Sequence, residues 1–133
     1  MPLYQNAQPP NSLSPGDVVT VWNAEQPAIG NDATTGSAST QVALVPKDGG
    51  DGFTPFAVDL KFAGAPGAFE VDAQVAQLDV DGNYQTVLNG AIVAVDAVHF
   101  TAHFVANVEL ARFARLLMKA RANAVNVTAT IRR

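Results

Sequence analysis

The chain has no cysteine, which excludes a disulfide framework, a thiolate metal site and a cysteine nucleophile. It has no apolar run approaching the ~20 residues of a membrane-spanning helix. Its first residues, MPLYQNAQPPNSLSPG, have neither the basic start nor the apolar stretch of a secretory signal. The expectation is a protein that folds in the cytoplasm of the cell that makes it, without export and without membrane contact. Aromatic rings are scarce: seven Phe, two Tyr and one Trp, a thin supply of stacking platforms for a sugar ligand. No G-x-S-x-G setting surrounds any serine, and neither a Walker nor a Rossmann glycine pattern occurs. No catalytic residue, cofactor or metal ligand is therefore predicted, and the chain is not expected to be an enzyme.

What is present is enough apolar residue, 48% of 133, to build one core of ordinary size. Charge is distributed unevenly. All twelve acidic residues lie between Asp17 and Glu109, while six of the eight basic ones (Arg112, Arg115, Lys119, Arg121, Arg132, Arg133) come later. Two readings follow: the basic strands pair with acidic strands of the same fold, or they face an acidic partner. With a net charge of −4, a dedicated nucleic-acid interface is not expected.

Residues 1–16 hold four of the eight prolines and cannot supply a helix or a central strand. They are read as an extended arm, with a single β domain over 17–133. DVVTVW (17–22) and QVALV (41–45) read as short strands around a long polar loop. In AVDLKF (57–62), Val58, Leu60 and Phe62 alternate with Asp59 and Lys61, the period of a half-buried strand. FEVDAQVAQLDV (69–80) alternates in the same way and then slips phase near Ala76–Gln77, which predicts a β-bulge. YQTVL and AIVAV are separated by a turn signal at Asn89–Gly90; VHFTAHF (98–104) and NAVNVTATI (123–131) continue the series. ARFARLLMKAR (111–121) fits both periods. Its own propensity favours helix, but the short connection to the last β segment favours a strand, entered through a helical turn at 106–110. The total is seven to nine strands with turns every 8–12 residues, an antiparallel β-sandwich or jelly roll.

Three stretches invite a metal reading. LDVDGNYQTV (78–87) begins like a calcium loop, yet Tyr84 stands where Gly is needed and Gly90 where the bidentate Glu should be. A hairpin turn explains its Asp and Gly better. GGDGFT (49–54) is a lone copy of a motif that works only in stacks. His99 and His103 would share a strand face about 13 Å apart, too far to grip one ion. The basic strip is the better candidate surface: Arg115, Lys119 and Arg121 share a predicted strand with Phe113 and Leu117, a mixture suited to protein contact. Leu3, Tyr4, Pro9 and Pro10 in the arm complete the candidate interface.

An extended Pro-rich arm, a cysteine-free β-sandwich and no catalytic constellation, with GAPGAFEVDAQVAQLDVDGNYQTV (64–87) and FARLLMKARANAVNVTATI (113–131), resemble the small accessory structural proteins of tailed bacteriophage virions, capsid decoration proteins above all. The resemblance implies a virion location, docking on a capsid or other virion protein, and self-association, commonly as trimers. A tail or baseplate component is a variant of it. A carbohydrate-binding sandwich using Trp22, Tyr4 or Tyr84 is the rival from another class.

Overall fold

The computed structural model describes residues 12–44, 55–108 and 111–133. Nine strands run along these residues: β1 (Ser12–Leu13), β2 (Val18–Glu25), β3 (Val42–Leu44), β4 (Phe56–Phe62), β5 (Phe69–Ala76), β6 (Gln85–Ile92), β7 (Thr101–Ala106), β8 (Phe113–Arg121) and β9 (Val127–Arg132). One sheet has the order β1-β3-β8-β5-β6 and the other β2-β9-β4-β7. Among the described residues no helix is long and apolar enough to cross a membrane.

The pairing explains the architecture. β5 pairs with β6, β4 with β7, β3 with β8 and β2 with β9, all antiparallel. These pairs nest around residues 77–84, so the chain is one long hairpin whose tip is that turn. Rolling it up brings β4 against β9 and β5 against β8. This is the jelly-roll winding. β1 adds a short parallel strand beside β3, so the end of the Pro-rich segment lies on the body, with Leu13 fully buried.

Each sheet turns one face inward. Val58, Leu60 and Phe62 of β4, Val71 and Ala73 of β5, Leu116 and Met118 of β8, and Val127, Ala129 and Ile131 of β9 form the core with Trp22 and Phe56. Each large side chain removed from water here contributes about 2 kcal/mol. Phe62 and Phe69 close one end, their rings 4.9 Å apart.

β8 is a strand, as its short connection to β9 required. Its ambiguity has a physical cause. Ala114, Leu116 and Met118 face the core, but Arg115 and Leu117 on the other face are also buried. A strand buried on both faces loses the alternation that identifies strands.

Several local expectations are corrected. β5 does not bulge at Ala76–Gln77 but ends at Ala76; Leu78 and Val80 change parity because they belong to the turn, where both are exposed. Asn89–Gly90 does not reverse the chain: β6 runs through it, with a register shift against β5 and Asn89 at φ 60°. The turn at 78–87 contains a 3-10 turn over Asp81–Asn83, and Gly82 needs no positive φ. Val98 and His99 precede β7 rather than belonging to it. Ala106 closes β7, and the remainder of the expected helical turn includes residues 109 and 110, outside the described residues.

Candidate functional site

Two groups of polar side chains merit examination, one on the outer face of each sheet. On the five-stranded sheet, Arg115 points outward from β8 and is nevertheless only 4% exposed. Its Nε donates to Oε1 of Gln74 at 2.9 Å, and its Nη1 donates to Oδ1 of Asp81 at 2.7 Å. Its guanidinium stacks 4.0 Å above the centre of the Tyr84 ring. Tyr84 donates its hydroxyl to Oδ1 of Asp79 at 2.8 Å, and Gln41 Nε2 donates to Oδ2 of Asp79 at 2.9 Å. The backbone N–H of Ala33 donates to both oxygens of Asp81. That bond, followed by the one from Arg115, holds the Asp81 carboxyl below its ordinary pKa. Burial, then the hydrogen bond to Asp79, pushes the Tyr84 hydroxyl up.

The stretch that resembles a calcium loop therefore clamps a buried arginine. Both of its carboxylates are engaged by donors of the fold, and among the described residues no cluster of three or more His or acidic side chains could hold a metal.

Beside this clamp, Asp72 is 3% exposed. Its Oδ2 accepts from the Thr86 hydroxyl at 2.9 Å and lies 3.8 Å from Lys119 Nζ, while Oδ1 has no partner among the described residues. The neighbouring Asp72 carboxylate, with some burial, raises the pKa of Glu70.

On the four-stranded sheet the polar groups stand in water. Asp59 of β4 faces His103 of β7, with Oδ1 2.6 Å from Nδ1, and its Oδ2 accepts from Nε of Arg132 at 2.8 Å. These side chains are 40–51% exposed. Burial alone would raise the Asp59 pKa, but the bonds from His103 and Arg132 outweigh it and hold the carboxyl below its ordinary value. Lys61, Thr101, Thr128 and Thr130 line the same shallow depression as Asp59 and His103. His99 is held separately: Asp96 accepts the backbone N–H groups of Val98 and His99 and lies 2.8 Å from Nδ1 of His99. The two histidines thus serve two different carboxylates.

The candidate interface residues are distributed differently from the expected strip. Arg115 is corrected from a surface contact to a buried structural side chain. Arg121 donates to the carbonyl of Pro27 at 2.9 Å, and Lys119 sits beside Asp72, its side chain 38% exposed. Leu3, Tyr4, Pro9 and Pro10 lie outside the described residues, as does GGDGFT. Trp22 and Tyr84, the rings a sugar would stack on, are 2% and 8% exposed. Trp22 is inside because register shifts in β2 place both it and Val21 in the core. The sequence carried no signal for the role of Arg115 except its position between apolar residues on both sides. No protein-family model, curated protein or solved structure matches the chain.

Proposed function

We propose that this chain is a structural component of a tailed-phage virion, a jelly roll that decorates the head by binding the capsid lattice and copies of itself. One observation carries the assembly role. Many charged side chains of both outer faces are engaged by other groups of the fold, while Val18, Ile29, Leu78, Val80, Leu88, Val93, Val98 and Val105 are exposed. Exposed apolar groups are available to protein contacts, whose fully buried centres are apolar. The virion context rests on the sequence resemblance, and the winding is compatible with it, since jelly rolls recur in capsid proteins. They recur in lectins too, so the winding does not choose between them. The buried Trp22 and Tyr84 take support from the sugar-binding reading.

The test is mass spectrometry and labelling of purified particles from the source. Many copies per particle, bound over the head, are expected. A chain that is absent from particles and monomeric at every concentration would overturn the reading; label on the tail would convert it to the tail or baseplate form.

A further inference from the structure

β6 is the outermost strand of its sheet. β5 occupies one side, and among the described residues no strand bonds the other. Natural sheets guard such edges with lysine, proline, inward-pointing charge or very short strands. β6 is eight residues long, and fourteen consecutive residues, from Gly82 to Val95, carry no charge and include no proline. Its one guarding device is a bulge. Asp72 faces Ala91 while Gln74 faces Thr86, so residues 87–90 form slack in the ladder. Gly90 permits the close approach: a Cβ there would stand 2.6 Å from Cγ2 of Val87 and 3.0 Å from the carbonyl oxygen of Ala73.

The slack sends Val87 inward and Leu88 outward. Leu88 is 88% exposed, more than any other large apolar side chain described, and Val93, just past the strand, is 58% exposed. A bulge evolved only to repel other strands is best tipped with a charge. This one is tipped with leucine.

We propose that the β6 edge is a contact between two copies of this chain, related by a two-fold axis with Leu88 at its centre. It rests on the reading of a self-associating protein and names the surface. The choice of a second copy over another partner is electrostatic. A two-fold contact is self-complementary, so a charge near its axis meets its own like. In a chain with net charge −4, a surface that must meet itself has to be free of charge, and β6 with both its flanks satisfies that requirement. A basic partner would instead be drawn to the acidic groups found elsewhere in the chain. Burial of one leucine from each side does no more than offset the lower end of the cost of association. The free dimer is therefore weak, and it becomes persistent where copies are held side by side on a lattice.

Sedimentation velocity from about 1 to 500 μM, a range that captures micromolar to sub-millimolar dissociation constants, tests this on the full chain. The wild type is expected to pass from monomer to dimer. Leu88→Lys is expected to stay monomeric with an unchanged melting curve, because the side chain it replaces lies in water. Ala91→Lys, at a second exposed position of the same strand, is expected to weaken the dimer. A wild type that remains monomeric, a dimer that survives Leu88→Lys, or a closed trimer overturns the proposal. Particle binding separates it from the reading beneath it. Leu88→Lys chains that still coat particles but no longer dimerise support this contact and leave the lattice role standing. A wild type that dimerises through Leu88 yet never joins particles supports the contact and sinks the lattice role.

Discussion

On the five-stranded sheet, the outward side chains Asp72, Gln74, Arg115 and Leu117 are buried, because the molecule's own turn and loop lie over them. On the four-stranded sheet, the outward side chains Asp59, His103 and Arg132 keep 40–51% of their exposure. Both faces carry a carboxylate bound to an arginine, at 2.7 Å in one case and 2.8 Å in the other. Distance therefore cannot distinguish them; solvent does. The covered arginine has exchanged its water for a fixed set of acceptors and a ring, so removing it leaves groups that the fold has already desolvated. The exposed pair can return to water at almost no cost. One face uses charge to build the fold, and the other merely displays it.

The largest effect should come from the covered face. Arg115→Ala removes the partner of Gln74 and Asp81 and the cation above Tyr84, and is expected to cost about 3 kcal/mol, read from chemical denaturation. The cost should exceed that of any single substitution on the four-stranded outer face; a cost below about 1 kcal/mol would place Arg115 with the surface pairs and erase the contrast. Tyr84→Phe keeps the ring under the guanidinium and removes only the hydroxyl bonded to Asp79. It is expected to cost about 1 kcal/mol. Gly82→Ala in the same turn should be nearly neutral, since an added Cβ meets nothing within 4 Å and the backbone needs no left-handed conformation. Together these separate the clamp from the turn that delivers it.

The two faces should also respond oppositely to pH. Glu70 on the covered sheet has its folded pKa raised above the ordinary 4.5. Its contribution to stability is present below that value and is lost as pH rises through the folded pKa. Asp59 on the bare sheet has its folded pKa lowered from 3.8. Its contribution is present above that value and is lost as pH falls through the folded pKa. Glu70→Gln places a neutral side chain beside Asp72. Its melting temperature should match the wild type at about pH 4 and exceed it at about pH 7. An equal offset at both pH values would remove Glu70 as the cause.

Much of the fold was legible because alternation survives wherever one face is wet. Val58, Leu60 and Phe62 against Asp59 and Lys61 could be read directly, as could Val127, Ala129 and Ile131. Legibility failed where tertiary structure overrides the local period. Leu117 and Arg115 are buried behind a strand whose other face is the core, so β8 looked partly helical. Trp22 enters the core through register shifts that no neighbouring residue announces. Asn89–Gly90 is the chemistry of a turn used for a bulge, and only the pairing with β5 distinguishes the two. The clamp was illegible for a related reason. Asp79 and Asp81 lie more than 30 residues before Arg115, and what unites them is the rolling of the hairpin, with the turn folded back over the sheet.

The smallest expected effect is the most discriminating for the comparison. Asp59 touches two partners, His103 and Arg132, so a count of contacts would rank it level with Asp81. Both partners are exposed, however, and an exposed ion pair gains little over hydrated separate charges while it restrains long side chains. Asp59→Asn should therefore change stability at about pH 7 by less than about 0.5 kcal/mol, and His103→Gln by no more. Adding salt should shrink even that difference, because exposed charges are screened over about 10 Å at 0.1 M ionic strength. The Arg115→Ala cost should persist under the same salt, since Arg115 itself is only 4% exposed. If Asp59→Asn cost as much as Arg115→Ala, the outer face of the four-stranded sheet would have to be covered in solution, and the first place to seek the cover would be another protein chain.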